Sequence, residues 1–385
     1  FRSENAENLQ GGNALTGNTG NSENLQKSGY KPVIGKFGES QSEKDYDFSG
    51  DFLTLNGVLD KANLETGYYT DGVDYIGGGA SATAVEGFFA CPYSNFLSRG
   101  LKLKIRDLSD VSPMDMGTMV HEVAEKFGVE VKNGLILSEQ SAIKRAGEIF
   151  NETCKSEEYA RYQSSPRGKK IFSLIKKEAE RFCRDLYCGA ENSAFKPEYL
   201  ETEFGRGKIP PIKINTRKGE LKVTGKIDRI DVCGDKMRVI DYKTGVVKPA
   251  EIDEGLYSGN KLQLFLYADA FSDKYKTAGA YYFPIADDFV KEGESKTLKM
   301  QGRTIADKQT VELLDKGKLD GGEEFIDAKL SVNKDGSVKL TKSFLTQGEF
   351  NDYLEYSRLV TGEGLAEIKE GVIIPSPYNE QCSFC

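Results

Sequence analysis

Tryptophan is absent from this chain of 385 residues, and histidine occurs once, at His121. A lone histidine excludes the zinc-protease helix that HEVAE at 121–125 superficially resembles, because that motif needs a second imidazole one turn on. Long apolar runs are missing as well. Nothing approaches the roughly 20 consecutive apolar residues of a membrane span, and no secretory leader is read at the N-terminus. A basic excess is also lacking, since 52 Lys and Arg stand against 60 Asp and Glu for a net charge of −8. That balance removes any global field favouring nucleic acid but leaves room for a locally basic groove. The segment GYKPVIGKF carries Phe37 where a phosphate loop has Ser or Thr, which excludes an ATPase site there.

The 7 cysteines are odd in number and openly spaced, so they form no disulfide framework, and a reducing, cytoplasmic setting is expected. Cys154, Cys183, Cys188 and Cys233 fall in helical or hairpin patterns as ordinary thiols. Cys382 and Cys385 make a CxxC pair, which points to metal or redox chemistry. With Cys91 they give three candidate thiolates, one short of the four that iron–sulfur clusters usually use.

Residues 1–80 read as a lead-in or linker, partly disordered. The first 40 are rich in Gly, Asn, Ser and Glu, too polar to bury a core, and only 52–58 suggest a short packed element. The chain starts at Phe1 and stops at Cys385, as a piece of a longer protein would. Order is expected from Ser81, a helix cap ahead of TAVEGFFACPYSNFLSRG. Helical stripes follow over 114–127, 138–154 and 169–186. The last carries Arg167, Lys169, Lys170, Lys176 and Lys177 on or beside it, a charge run read first as a solvated face. Strands begin near 198, with a helix at 260–271, a buried strand at 278–285, a hairpin about 333–336, a helix through 350–360 and an exposed C-terminal tail. This order is α/β, one sheet covered by helices.

The densest signal is GKIDRIDVCGDKMRVIDYKTG. Gly234-Asp235 is a two-residue hairpin turn. It pairs Cys233 with Lys236 and, counting outward, sets Asp228 opposite Asp241. Cross-strand partners lie roughly 5 Å apart, so the two carboxylates can share a divalent ion. Lys243 follows Asp241 by the strand period of two and shares its face. Apolar flanks at Leu221, Val223, Ile227, Val239 and Ile240 bury the hairpin. Buried carboxylates facing each other repel unless a cation neutralises them. Two carboxylates and an ammonium at one spot suit metal-dependent phosphodiester hydrolysis. His121 can add an imidazole ligand, and Gln263 and Tyr267, four apart on one helix face, can reach over the hairpin.

GKIDRID, then VIDYKTG, then QLFLYADA resembles the RecB-type branch of the PD-(D/E)xK nucleases, and GTMVHEVAE is similar to that branch's histidine motif. ACPYSNFLSRGLKL and IKEGVIIPSPYNEQCSFC narrow the resemblance to the B-subunit type of bacterial ATP-dependent helicase/nucleases. It covers roughly 81–385, with the motifs in the family's order. The resemblance implies a restriction-endonuclease-like core, a central mixed sheet flanked by helices, in a domain over 81–385 with a cysteine-bearing C-terminal tail. It implies that Asp228 and Asp241 bind magnesium, with manganese tolerated, and that His121 and Tyr242 join the metal set. Lys243 would position the attacking water or stabilise the transition state, with Gln263 and Tyr267 accessory to it. Cys91, Cys382 and Cys385 match three of four ligands of a 4Fe-4S cluster, the fourth falling past Cys385. The implied function is a magnesium-dependent DNA exonuclease domain that resects double-strand break ends. Its substrate is single-stranded DNA delivered by an AddA-like helicase/nuclease partner subunit. Two alternatives remain open: a catalytically silent scaffold binding DNA and a partner, or a stand-alone iron–sulfur exonuclease.

Overall fold

The computed structural model of the protein describes residues 75–103, 113–245, 247–285 and 297–378. The expected lead-in lies almost wholly outside the described residues, as do Cys382 and Cys385. Strand β1 (Gly79–Ser81) leads into α1 (Ala82–Ala90), and Ser81 caps that helix by accepting from Ala84 N at 3.1 Å. Three long helices follow: α2 (Pro113–Lys132), α3 (Glu139–Thr153) and α4 (Pro166–Glu191). The expected 138–154 matches α3 to within a residue at each end, whereas α2 and α4 run several residues beyond the stripes expected over 114–127 and 169–186. Local caps set where α3 and α4 begin. Ser138 and Ser141 form a reciprocal capping box on α3, and Ser165 followed by Pro166 opens α4.

The sheet is built from β2 (Lys196–Phe204), β3 (Ile212–Thr216), β4 (Gly219–Cys233), β5 (Lys236–Lys243), β6 (Lys276–Pro284), β7 (Gln301–Ile305) and β8 (Phe344–Leu345). Its strands run β1-β4-β5-β6-β7-β8, with β2 and β3 also pairing β4. Pairing is antiparallel for β4–β5 and β6–β7 and parallel for β5–β6 and β7–β8, a mixed sheet. Between β5 and β6 the chain crosses through α5 (Pro249–Tyr257) and α6 (Gln263–Ala270); α7 (Lys308–Leu314) and α8 (Gln347–Lys369) come later.

Every residue of β5 from Met237 to Tyr242 is buried, as expected of a strand covered on both faces. On one face Ile240, Tyr242, Tyr281 and Phe283 pack with the apolar sides of α2, α3 and α4. On the other, Val223, Ile227, Met237 and Val239 pack with α1, α6 and α8. Inside the sheet sits a buried ionic triad. Asp231 accepts from Arg229 at 2.5 and 2.8 Å and from Arg238 at 2.8 Å, while Arg238 also donates to the Leu314 carbonyl.

The expected hairpin about 333–336 forms as a short one: Val332 and Val338 make an antiparallel bridge, while Asn333 N donates to the Ser337 carbonyl and Lys339 N to that of Ser331, both at 2.8 Å. One expectation about the fold needs correction. The C-terminal tail, as far as Tyr378, is not exposed: Ile373 is buried, and Tyr378 N donates to the Ala90 carbonyl at 2.8 Å.

Candidate active site

The β4–β5 turn forms as read: Cys233 pairs with Lys236, and Gly234 takes a φ of +60°, the conformation a glycine-first hairpin turn demands. The ladder ends at Arg229↔Ile240, one step short of the expected Asp228–Asp241 pair. Asp228 Oδ2 instead accepts from the backbone N–H of Tyr242 at 2.7 Å. On the other edge, Leu200↔Arg229 and Thr202↔Ile227 bracket Glu201 and Asp228. Glu201 has a φ of +45°, a left-handed conformation that costs a non-glycine residue about 1 kcal/mol. Ile227 and Ile230 both pack in the α1/α6/α8 layer, so strict alternation breaks across Asp228. Local strain of this kind collects at functional sites.

The distortion brings Glu201 and Asp228 beside His121 of α2. His121 Nδ1 lies 3.6 Å from Asp228 Oδ1 and 3.7 Å from Glu201 Oε1, and donor atoms of the three residues all fall within 4.8 Å of one another. Those separations are too long for hydrogen bonds. Glu201 Oε1 is buried with no hydrogen-bond partner, although Lys226 Nζ reaches the other oxygen at 2.6 Å. An orphaned carboxylate oxygen, a second carboxylate and an imidazole fit a divalent cation with oxygen and nitrogen ligands. Burial works against a charged imidazole here, but Asp228 and Glu201 outweigh it and hold His121 protonated up to about 10.

Asp241 is buried, and burial first, then the charge of Asp228, pushes its carboxyl up to about 6 against the pull of Lys243. Lys243 Nζ sits 2.7 Å from Asp241 Oδ2, an ionic contact whose angles fall short of a hydrogen bond. Burial lowers the Lys243 ammonium, but Asp241 more than compensates, so it stays charged. It also donates to Gln263 Oε1 at 3.1 Å.

Gln263 is anchored in turn by Glu86 of α1. Glu86 Oε2 accepts from Gln263 Nε2 at 2.8 Å, and Oε1 accepts from the N–H groups of Leu262 and Gln263 at 2.6 and 2.9 Å. Burial raises the Glu86 carboxyl to about 7. Tyr267 lies in the core against Phe204, its phenol driven strongly upward by burial and by the charges of Asp241, Asp228, Glu86 and Glu201.

The structure thus gathers His121, Asp228, Asp241, Lys243 and Gln263, with Tyr267 beneath. Tyr242 contributes its N–H to Asp228, while its ring packs against His121 and Phe182 in the helical layer. Two participants escaped sequence reasoning. Glu201 sits in YLETEFG, which reads only as alternating strand. Glu86 sits in VEGFF, where a single glutamate on an apolar helix carries no signal. Cys91 is half-buried with a free thiol beside Ala90, where the tail returns.

A family model described as the PD-(D/E)XK nuclease superfamily matches residues 80–385. The chain belongs to that superfamily. Membership brings divalent-metal phosphodiester chemistry, and the mixed sheet between helices is the expected core. The chain is also similar to AddB proteins, each named as the B-subunit of an ATP-dependent helicase/deoxyribonuclease. It is 28% identical over 339 residues to that of Acetivibrio thermocellus, covering 80% of this chain and 29% of the relative. It is 30% identical over 340 residues to that of Pelotomaculum thermopropionicum, with 80% and 29% coverage. For Clostridium kluyveri the figures are 28% over 339 residues, with 79% and 29% coverage. The chain spans under a third of the length of these curated relatives.

Proposed function

We propose that this PD-(D/E)XK domain is the magnesium-dependent exonuclease of a bacterial helicase/nuclease, cutting single-stranded DNA during cytoplasmic resection of double-strand break ends. An AddA-like motor subunit would deliver the strand, and the domain would span 81–385. The observation that carries the reading is the His121, Glu201 and Asp228 cluster beside the Asp241–Lys243 ion pair.

His121, Asp228, Asp241 and Glu201 are the residues that would hold the metal; magnesium suits the carboxylates and manganese tolerates the imidazole. Held by these residues, the ion would supply polarisation of the scissile phosphate and a lowered pKa for a water. Lys243, fixed between Asp241 and Gln263, presents an ammonium to the charge that develops on the phosphate. Gln263 keeps that ammonium aimed, because Glu86 and Thr83 already hold its own amide. The Tyr242 N–H fixes the rotamer of Asp228 and frees Oδ1 for the cluster. Tyr267 stays a neutral phenol and closes the floor.

A 4Fe-4S cluster on Cys91, Cys382, Cys385 and a fourth cysteine extends the proposal to longer forms of the protein. It is supported by the Tyr378–Ala90 bond, which returns the tail to within four residues of Cys382 at the Cys91 end. Visible absorption of anaerobically purified longer protein, lost in Cys91→Ser, tests it.

The decisive experiment is magnesium-dependent cleavage of end-labelled single-stranded DNA by this chain and by Lys243→Ala. Cleavage that the substitution abolishes establishes the nuclease and its site. Inactivity of both proteins with magnesium and with manganese turns the reading toward a silent scaffold.

A further inference from the structure

We propose that the groove beside β1 binds the phosphate backbone of single-stranded DNA and leads it along β4 to the metal cluster. This rests on the nuclease reading above and adds the path of the strand. The groove has a volume of about 570 Å³, and its lining includes Arg99, Lys102, Arg206, Lys222 and Thr224 but no acidic residue. All four cations are exposed. Among the described residues none of them has an ion-pair partner, whereas neighbours such as Lys213, Arg217 and Lys226 are each matched to a glutamate. On a chain of net charge −8, four unneutralised cations around one opening form a field that selects a polyanion.

The groove floor leaves room for a backbone to approach. Gly78 lines it, and a Cβ placed there would meet nothing within 4 Å. Tyr75 stands in its wall, edge-on to Phe96 with ring centroids 6.0 Å apart, an aromatic surface on which a base can stack. A cavity of this size takes a ligand of a few nucleotides and not the body of a duplex.

Strand β4 supplies continuity with the reaction centre. Leu221, Val223 and Ile227 are buried, so Lys222, Thr224 and Lys226 share the outward face. Lys226 contacts Glu201, a member of the metal cluster, and Asp228 follows two residues later. At about 3.3 Å per residue, Lys222 and Asp228 are ~20 Å apart, a span an extended single strand bridges with several phosphates.

The test is equilibrium binding of a fluorescein-labelled oligothymidylate to the full chain, read by anisotropy in chelator so that nothing is cut. Salt is varied between about 50 and 200 mM. Each single-strand phosphate contact contributes about 0.7 to the slope of log affinity against log salt. Arg99→Ala/Arg206→Ala should therefore lower that slope by about 1.4 and weaken binding several-fold. Arg99→Lys/Arg206→Lys should retain the wild-type slope, which separates charge from misfolding. Wild-type affinity and slope in the alanine double variant, or no binding by the wild type, overturn the groove. Failure of the nuclease reading is distinguishable: the chain would bind through the groove yet cut nothing when magnesium is restored.

Discussion

Glu86 Oε2 accepts a hydrogen bond from the Gln263 side chain at 2.8 Å, at the start of a helix that has no capping side chain of its own. The glutamate comes from α1, 177 positions away in sequence, so it caps α6 from outside and fixes an amide that in turn holds Lys243. Replacing it with alanine strands buried N–H donors, at a cost of about 1–3 kcal/mol. Because the lost support lies one residue behind the catalytic ammonium, Glu86→Ala should lower kcat on the order of 100-fold, with KM little changed. Single-turnover cleavage together with urea unfolding checks both halves. Loss of stability with undiminished kcat would confine Glu86 to a structural role.

His121 ties stability to pH. Its folded-state pKa is raised from 6.5 to about 10. The interaction therefore contributes fully below pH 6.5 and is lost as pH rises through 10. Metal-free protein should lose thermal stability across that window, and His121→Ala should flatten the dependence. A metal ligand must be neutral, so binding expels the proton, and the stabilisation conferred by manganese should grow with pH over the same range. Melting curves in chelator and in excess metal provide the measurement.

Asp241 works in the opposite direction on activity. Its carboxyl is raised to about 6 from an ordinary value of 3.8, by burial and the nearby Asp228 charge. A raised carboxyl favours the folded metal-free state below pH 3.8 and withdraws that support as pH rises through 6. Metal binding needs the ionised form, so cleavage and metal-induced stabilisation should both decline below about pH 6. A cleavage profile in which Asp241→Asn is inactive at every pH, with wild-type activity falling on the acid side, is the expected outcome. Undiminished wild-type cleavage at pH 5 would contradict it.

Much of this was legible beforehand because the informative signals were local. Ser81 announced its helix, and Gly234-Asp235 fixed the hairpin register from Cys233↔Lys236 to Arg229↔Ile240. Extrapolating that register one step further failed, because the strand alternation breaks at Asp228. Beside it on the neighbouring strand, Glu201 adopts a left-handed backbone that no property of YLETEFG demands. Glu86 stayed hidden for a related reason. Its partners lie on a distant helix, and a carboxylate reads as solvated until the fold buries it. The groove cations were invisible as a group, since Arg99, Lys102, Arg206 and Lys222 converge only when β1 pairs with β4.

The Arg229–Asp231–Arg238 triad should govern whether the strands carrying this site form at all. Asp231 is fully buried, and the charges of Arg229 and Arg238 hold its carboxyl low despite burial. Removing the anion from between two buried guanidiniums leaves uncompensated charge, which typically costs about 3–5 kcal/mol. Arg229 borders Asp228, and Arg238 lies three residues before Asp241, so the loss should appear at the site as well as in the core. Asp231→Ala is expected to shift the urea midpoint strongly downward and weaken manganese binding in whatever fraction folds. Asp231→Asn keeps acceptor capacity without the charge and should fall between the two. A midpoint for Asp231→Ala within about 1 kcal/mol of wild type would mean that water reaches the guanidiniums and screens them.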